Sequence, residues 1–191
     1  MELDQLFLLC RSYRRFKQQP VEEAVIRRAL ENARISSSAR NAQPLRYVAV
    51  TSPEMVRKMQ PTMKWAGTLP PELGTPREDE TPTAFIVIVK TAGAGAFSDV
   101  DVGIAAHAIT MTAREAGVGS CLLGAINGPA IRELLDVPEE DQVRLVVALG
   151  YPSHESTVVP VGEDGSIKYY LDEKKDYFVP KRSFEDVVRF K

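Results

Sequence analysis

The chain has 191 residues, 44% hydrophobic and 26% charged, an ordinary globular composition in which one domain can bury about 70% of its unfolded surface. A net charge of −2 gives no global attraction to nucleic acid or an anionic membrane, and no apolar run approaches the roughly 20 residues of a membrane span. Cys10 and Cys121 supply neither a disulfide framework nor a Cys-x-x-Cys motif, and the acidic start Met1-Glu2-Leu3-Asp4-Gln5 lacks the blocks of a signal peptide, so a soluble, cytoplasmic protein is expected.

In chain order, a basic cluster, Arg11-Ser12-Tyr13-Arg14-Arg15-Phe16, comes first. Pro20 suits the first position of a helix whose apolar stripe, from Val21 through Ile26 and Ala29 to Ala33, runs to about residue 34, where three serines end it. Tyr47 to Thr51 is rich in strand formers, and Glu54 to Met59 reads as a short helix. Residues 60–82, Pro-rich and acidic, read as a surface loop carrying Trp65. Thr83 to Lys90 is apolar without alternation, the mark of a strand buried on both faces. Asp99 is placed to cap a helix from Val100 to Ala116 that Gly117 ends. That helix is apolar on nearly every side, so it must be buried in the core or against another subunit.

Val118 to Leu123 is the next strand, Pro129 to Leu135 a short helix, and Val143 to Leu149 a further strand. Val158–Val161 and Ile167–Leu171 flank Gly162-Glu163-Asp164-Gly165 as a hairpin, and Ser183 to Val188 is the last helix. No repeat or linker divides the chain, so a single domain spanning 1–191 is expected.

Several chemistries are excluded. Gly93-Ala94-Gly95-Ala96-Phe97-Ser98 follows a strand but lacks the third glycine that lets helix and strand pack closely in a dinucleotide site. There is no Gly-Lys-Ser/Thr loop and no Gly-x-Ser-x-Gly elbow. His107, within the apolar helix, reads as a core histidine and His154 as an exposed one, with no metal-ligand spacing around either. What remains is a set of groups that bind. Arg11, Ser12 and Arg14 near one end, with Lys181 and Arg182 near the other, are the side chains that hold a phosphate through charge-assisted hydrogen bonds, while Arg15 reads as a surface charge. Ser38, Arg40, Asn41 and Gln43 are closely spaced donors suited to the edge of a flat heterocycle, or to a turn that bonds its own backbone.

Six segments in order, Arg11–Phe16, Ser38–Tyr47, Asp101–Ala106, Gly117–Cys121, Ala148–Pro152 and Val179–Arg182, together resemble the nitroreductase family of flavin-mononucleotide enzymes. Where many members carry a second Arg before the Arg-Ser pair, this chain has Cys10. The resemblance implies an α+β fold with a central, mostly antiparallel sheet flanked by helices, in an intertwined homodimer with two FMN at the interface. It implies hydride transfer from NAD(P)H to small electrophiles such as nitroaromatics or quinones by a ping-pong mechanism. Alternatives are a flavin store or sensor without turnover, or a relative with deiodinase-like or flavin-fragmenting chemistry.

The resemblance further implies that Ser38, Ala39, Arg40 and Asn41 touch the flavin, and that Leu122, Leu123 and Gly124 lay backbone beside its reactive nitrogen, Gly124 because the backbone approaches closely. Arg14 would stabilise the anionic ring, the flavin itself carrying the chemistry. Trp65 and the loop from Leu69 to Glu80 would wall the substrate side. The partners expected are a second copy and a small-molecule substrate, with no metal, nucleic acid or membrane.

Overall fold

The computed structural model describes residues 2–191. Its elements are α1 (Leu3–Leu9), β1 (Phe16–Lys17), α2 (Glu23–Ile35), β2 (Leu45–Val50), α3 (Pro53–Met59), α4 (Pro71–Gly74), β3 (Ala84–Lys90), α5 (Ser98–Glu115), β4 (Gly119–Leu123), α6 (Gly128–Leu134), β5 (Gln142–Pro152), β6 (Ser156–Pro160), β7 (Tyr170–Leu171), β8 (Tyr177–Lys181) and α7 (Phe184–Val187). This is the α+β class expected. β1, β5, β3 and β2 lie in that order in an antiparallel sheet, with β4 also antiparallel to β5. No described helix is long and apolar enough to cross a membrane.

β3 divides the core in two, because successive strand side chains point to opposite faces. Phe85, Val87 and Val89 face one cluster with Cys121, Leu123, Val146 and Ala148, which α3, α6 and the segment bearing Met63 and Trp65 cover. Ala84, Ile86 and Ile88 face the other, where α2 supplies Ile26, Ala29 and Ala33, and α5 supplies Val102, Ala105, Ile109 and Ala113. Both faces of β3 are buried, as its uninterrupted apolar run demands.

Several local expectations are corrected. α1 carries no buried residue and so had no core-facing stripe to betray it. α5 has no side-chain cap: Asp99 instead pairs with Lys90 at 3.2 Å and Arg144 at 2.9 Å. α5 is also not buried all round, since Val100, Gly103, Ile104 and His107 lie exposed on one stripe. Residues 60–82 hold two 3-10 turns besides α4, and Trp65 is buried in the core.

The expected hairpin between 158–161 and 167–171 does not form. Gly165, at φ +68°, does close a turn, but β6 pairs in parallel with β8, and the hairpin is β7 with β8. The turn between β7 and β8 is organised by Asp172, whose carboxylate accepts from the backbone N–H of Lys174 and Asp176, both at 2.9 Å.

Candidate functional site

The basic segment is seated by its aromatic residues. Tyr13 and Phe16 are buried, and they lie where a paired glycine on each of two strands leaves room, Gly119 on β4 opposite Gly150 on β5. A Cβ on Gly150 would come within 2.8 Å of the Phe16 ring, and one on Gly119 within 2.9 Å of the Tyr13 ring. The Tyr13 N–H donates to the Ser120 carbonyl at 2.8 Å, fixing the register of the segment against β4. With Tyr13 turned inward, its neighbours Ser12 and Arg14 face outward.

They face a cleft of about 420 Å³ that Arg11, Ser12, Arg14, Leu122 and Lys181 line together with Phe7, Cys10, His107, Thr110, Ser120, Tyr169 and Val179. Residues near the two ends of the chain thus meet at one cleft, Lys181 with Arg11, Ser12 and Arg14. Three cations line the cleft, and no described residue lining it carries a carboxylate. Arg11 donates to the Phe7 carbonyl at 2.9 Å, yet the Nε atoms of Arg11 and Arg14 are buried without a partner. The Arg14 guanidinium stacks 4.7 Å from the Tyr169 ring centre and 5.0 Å from that of Tyr177. Such stacking holds a cation without neutralising it. A cationic cleft with unspent donors fits a phosphate, and Cys10, half-buried in its wall, adds no charge.

Ser38, Ala39, Arg40, Asn41 and Gln43 are placed elsewhere. None of them lines the cationic cleft; Ser38 and Gln43 line a smaller one of about 120 Å³. Their loop is held by Asp101, a buried carboxylate on α5 that accepts from Ser38 Oγ at 3.1 Å and from the Ala39 N–H at 2.9 Å. Ser38 Oγ also accepts from the Gln43 N–H at 3.0 Å, so its hydroxyl is largely occupied. Arg40, Asn41 and Gln43 all have positive φ, at 56°, 54° and 49°, and their side chains are exposed. Left-handed backbone costs a non-glycine residue roughly 1–2 kcal/mol, strain that concentrates at functional loops. Asp101 on α5 and the cleft residues His107 and Thr110 of the same helix lie about 9–14 Å apart along its axis at 1.5 Å per residue.

Of the remaining candidates, Leu122 is exposed in the cleft while Leu123 turns into the core. A Cβ on Gly124 would meet nothing within the chain, so no crowding there requires a glycine. Arg182, next to Lys181, is exposed outside the cleft. Trp65 lines a separate cleft of about 700 Å³ with Val56, Gln60, Met63 and Pro76, on residues not shared with the cationic one.

Arg15 is not a surface charge but a buried one: it donates to the Lys175 carbonyl and lies 3.8 Å from Glu80, tying residues 78–80 to the basic segment. The two histidines exchange places. His107 is exposed at the cleft, 5.7 Å from the Phe7 ring, and His154 is buried between the Tyr13 and Tyr177 rings. Phe7, Tyr169 and Thr110 also line the cleft, and no pattern in the sequence marks them.

A sequence profile described as the Nitroreductase family matches residues 11–151. A protein of Archaeoglobus fulgidus, provisionally named an NADH dehydrogenase/NAD(P)H nitroreductase, is 31% identical over 153 residues, 76% of this chain and 82% of its own. Among solved structures, a protein of Bacteroides thetaiotaomicron given the same provisional name superposes with TM-score 0.67 at 18% identity, covering 80% of this chain and 88% of that one. An FMN-dependent nitroreductase of Clostridium difficile R20291 superposes with TM-score 0.66 at 23% identity, over 78% and 88%. These structures are alike in fold. With its profile match over most of its length, the chain belongs to the nitroreductase family.

Proposed function

We propose that this protein is an FMN-dependent oxidoreductase that takes hydride from NAD(P)H and delivers it to small electrophiles such as nitroaromatics or quinones. The observation that carries the proposal is the cleft where Arg11, Arg14 and Lys181 converge with no carboxylate and with two guanidinium Nε atoms unpartnered. The names of the relatives, one for FMN and others for NAD(P)H, support the choice of cofactor and donor. When bound, the flavin supplies two-electron chemistry in which donor and acceptor react in turn at one ring. The chain's task is to hold it: Arg11, Ser12 and Lys181 as ligands of the phosphate, and Arg14 as a cation near the ring where negative charge develops.

The loop of Ser38 to Gln43 belongs to the same function if two chains build each site. Within one chain the loop and the cationic cleft share no lining residue, which leaves the loop free to face the cleft of another copy. The exposed apolar surface agrees. Leu3, Phe7 and Leu8 on α1, Phe97, Val100 and Ile104 at the start of α5, and Leu122 are 37% to 66% exposed, an apolar area suited to a second copy. Arg182, outside the cleft of its own chain, and Trp65 keep their proposed roles only in such an assembly.

The test is anaerobic oxidation of NADH and NADPH by purified protein with a nitroaromatic or a quinone as acceptor. Turnover that scales with bound flavin is the expected result. Flavin bound without turnover would make the protein a store or sensor.

A further inference from the structure

His154 lies outside the residues that the family profile matches, and its surroundings assign both ring nitrogens. Its Nδ1 lies 2.8 Å from the Glu155 carbonyl, which can only accept, so Nδ1 carries the proton. Its Nε2 lies 3.0 Å from the Arg14 N–H, which can only donate, so Nε2 must be bare. The ring is buried, with its centre 5.4 Å from that of Tyr13 and 4.8 Å from that of Tyr177. Tyr177 is the same ring on which the Arg14 guanidinium stacks. One histidine therefore touches both the backbone of Arg14 and the aromatic surface that carries its side chain.

We propose that His154 is a positioning residue: its neutral imidazole, protonated on Nδ1, clamps the Arg14 N–H and so sets where the Arg14 guanidinium stands in the cationic cleft. The proposal rests on the flavin reading above for what that cleft binds, but not for the clamp itself.

The charges around the ring favour the neutral form. Burial and the neighbouring Arg15 and Arg14 push the imidazole down to about 4, against the Glu155 carbonyl and the Asp176 carboxylate, which favour the cation. Lys17, Arg114, Tyr151 and Glu155 line the adjoining cleft of about 470 Å³ with Asp176. Protonation of Nε2 would leave the Arg14 N–H facing a donor, so the clamp opens in acid and stays closed at neutral pH.

The test begins with the intact protein and no variant. Nitrogen NMR of the imidazole is expected to show a protonated Nδ1 and a bare Nε2, with the Arg14 amide resonance moving as His154 titrates in acid. FMN binding is then compared across variants. His154→Phe keeps a ring between the tyrosines and loses the acceptor, so affinity is expected to fall about tenfold, the size of one hydrogen bond. His154→Gln, whose side-chain oxygen can still accept, is expected to restore most of it. Added to Arg14→Ala, His154→Phe is expected to cause no further loss, because both act through one guanidinium. A protonated Nε2 with a bare Nδ1, an Arg14 amide indifferent to His154, or losses that multiply would each overturn the clamp. Failure of the wild-type protein to bind FMN would instead overturn the flavin reading, with the NMR result still deciding the clamp.

Discussion

Arg11 and Arg14 stand three residues apart, but their surroundings give them different work. Arg11 is held by a single carbonyl from α1 and keeps an unpartnered Nε at the cleft, which is the position of a ligand for an anion. Replacing it by Ala is expected to weaken FMN binding by about 1.5–3 kcal/mol, the range for a hydrogen bond to a charged group, while thermal unfolding of the apoprotein stays near that of the wild type. Isothermal titration of apoprotein with FMN checks this.

Arg14 is braced by two tyrosine rings and by His154. If it serves the ring and not the phosphate, Arg14→Ala lowers the potential of the bound flavin by about 30 mV, equivalent to about 1.4 kcal/mol for a two-electron couple. Potentiometry on the bound fraction separates the cases, since reduced affinity at unchanged potential makes Arg14 a phosphate ligand.

Among elements, β4 and β5 matter most to the site because Gly119 and Gly150 face each other and leave room for Tyr13 and Phe16. Gly150→Ala would place a Cβ within 2.9 Å of three Phe16 atoms, and Phe16 is fully buried with no free direction to retreat. Overpacking of this kind costs about 1–3 kcal/mol. Chemical denaturation is expected to show that loss, with FMN affinity falling too because the basic segment shifts with its aromatic anchors.

The same elements show what the sequence could and could not tell. Continuous apolar β3 and the stripe of α2 are patterns written by core contact, and they were legible to within a few residues. α1 has no buried residue, and β1 and β7 are two residues each, too short for any period to register. The parallel pairing of β6 with β8 depends on a long crossover that local turn signals do not encode. At the site, the cations that line the cleft were legible as clustered charge. The burial of Arg15 and His154 was not, because each is satisfied by a residue far along the chain or by a backbone carbonyl.

For the molecule as a whole, the buried neutral His154 ties stability to pH. Its value falls from an ordinary 6.5 to about 4 on folding, so the unfolded chain binds the proton more readily. The contribution is therefore fully present above pH 6.5 and is lost as pH falls from 6.5 toward 4, to a total of about 3 kcal/mol at 1.36 kcal/mol per unit. His154→Gln is expected to flatten that part of the profile in denaturation measured across the same range. A variant with the wild-type slope would place the titrating group elsewhere.

Under the proposed function, the two ends of this chain converge to hold flavin mononucleotide. This is tested most directly by releasing the cofactor from freshly purified protein with heat and identifying it by chromatography. A yellow protein that yields FMN is the expected result. Release of the adenine dinucleotide, or a colourless protein that takes up no FMN when it is supplied, would contradict the proposed function.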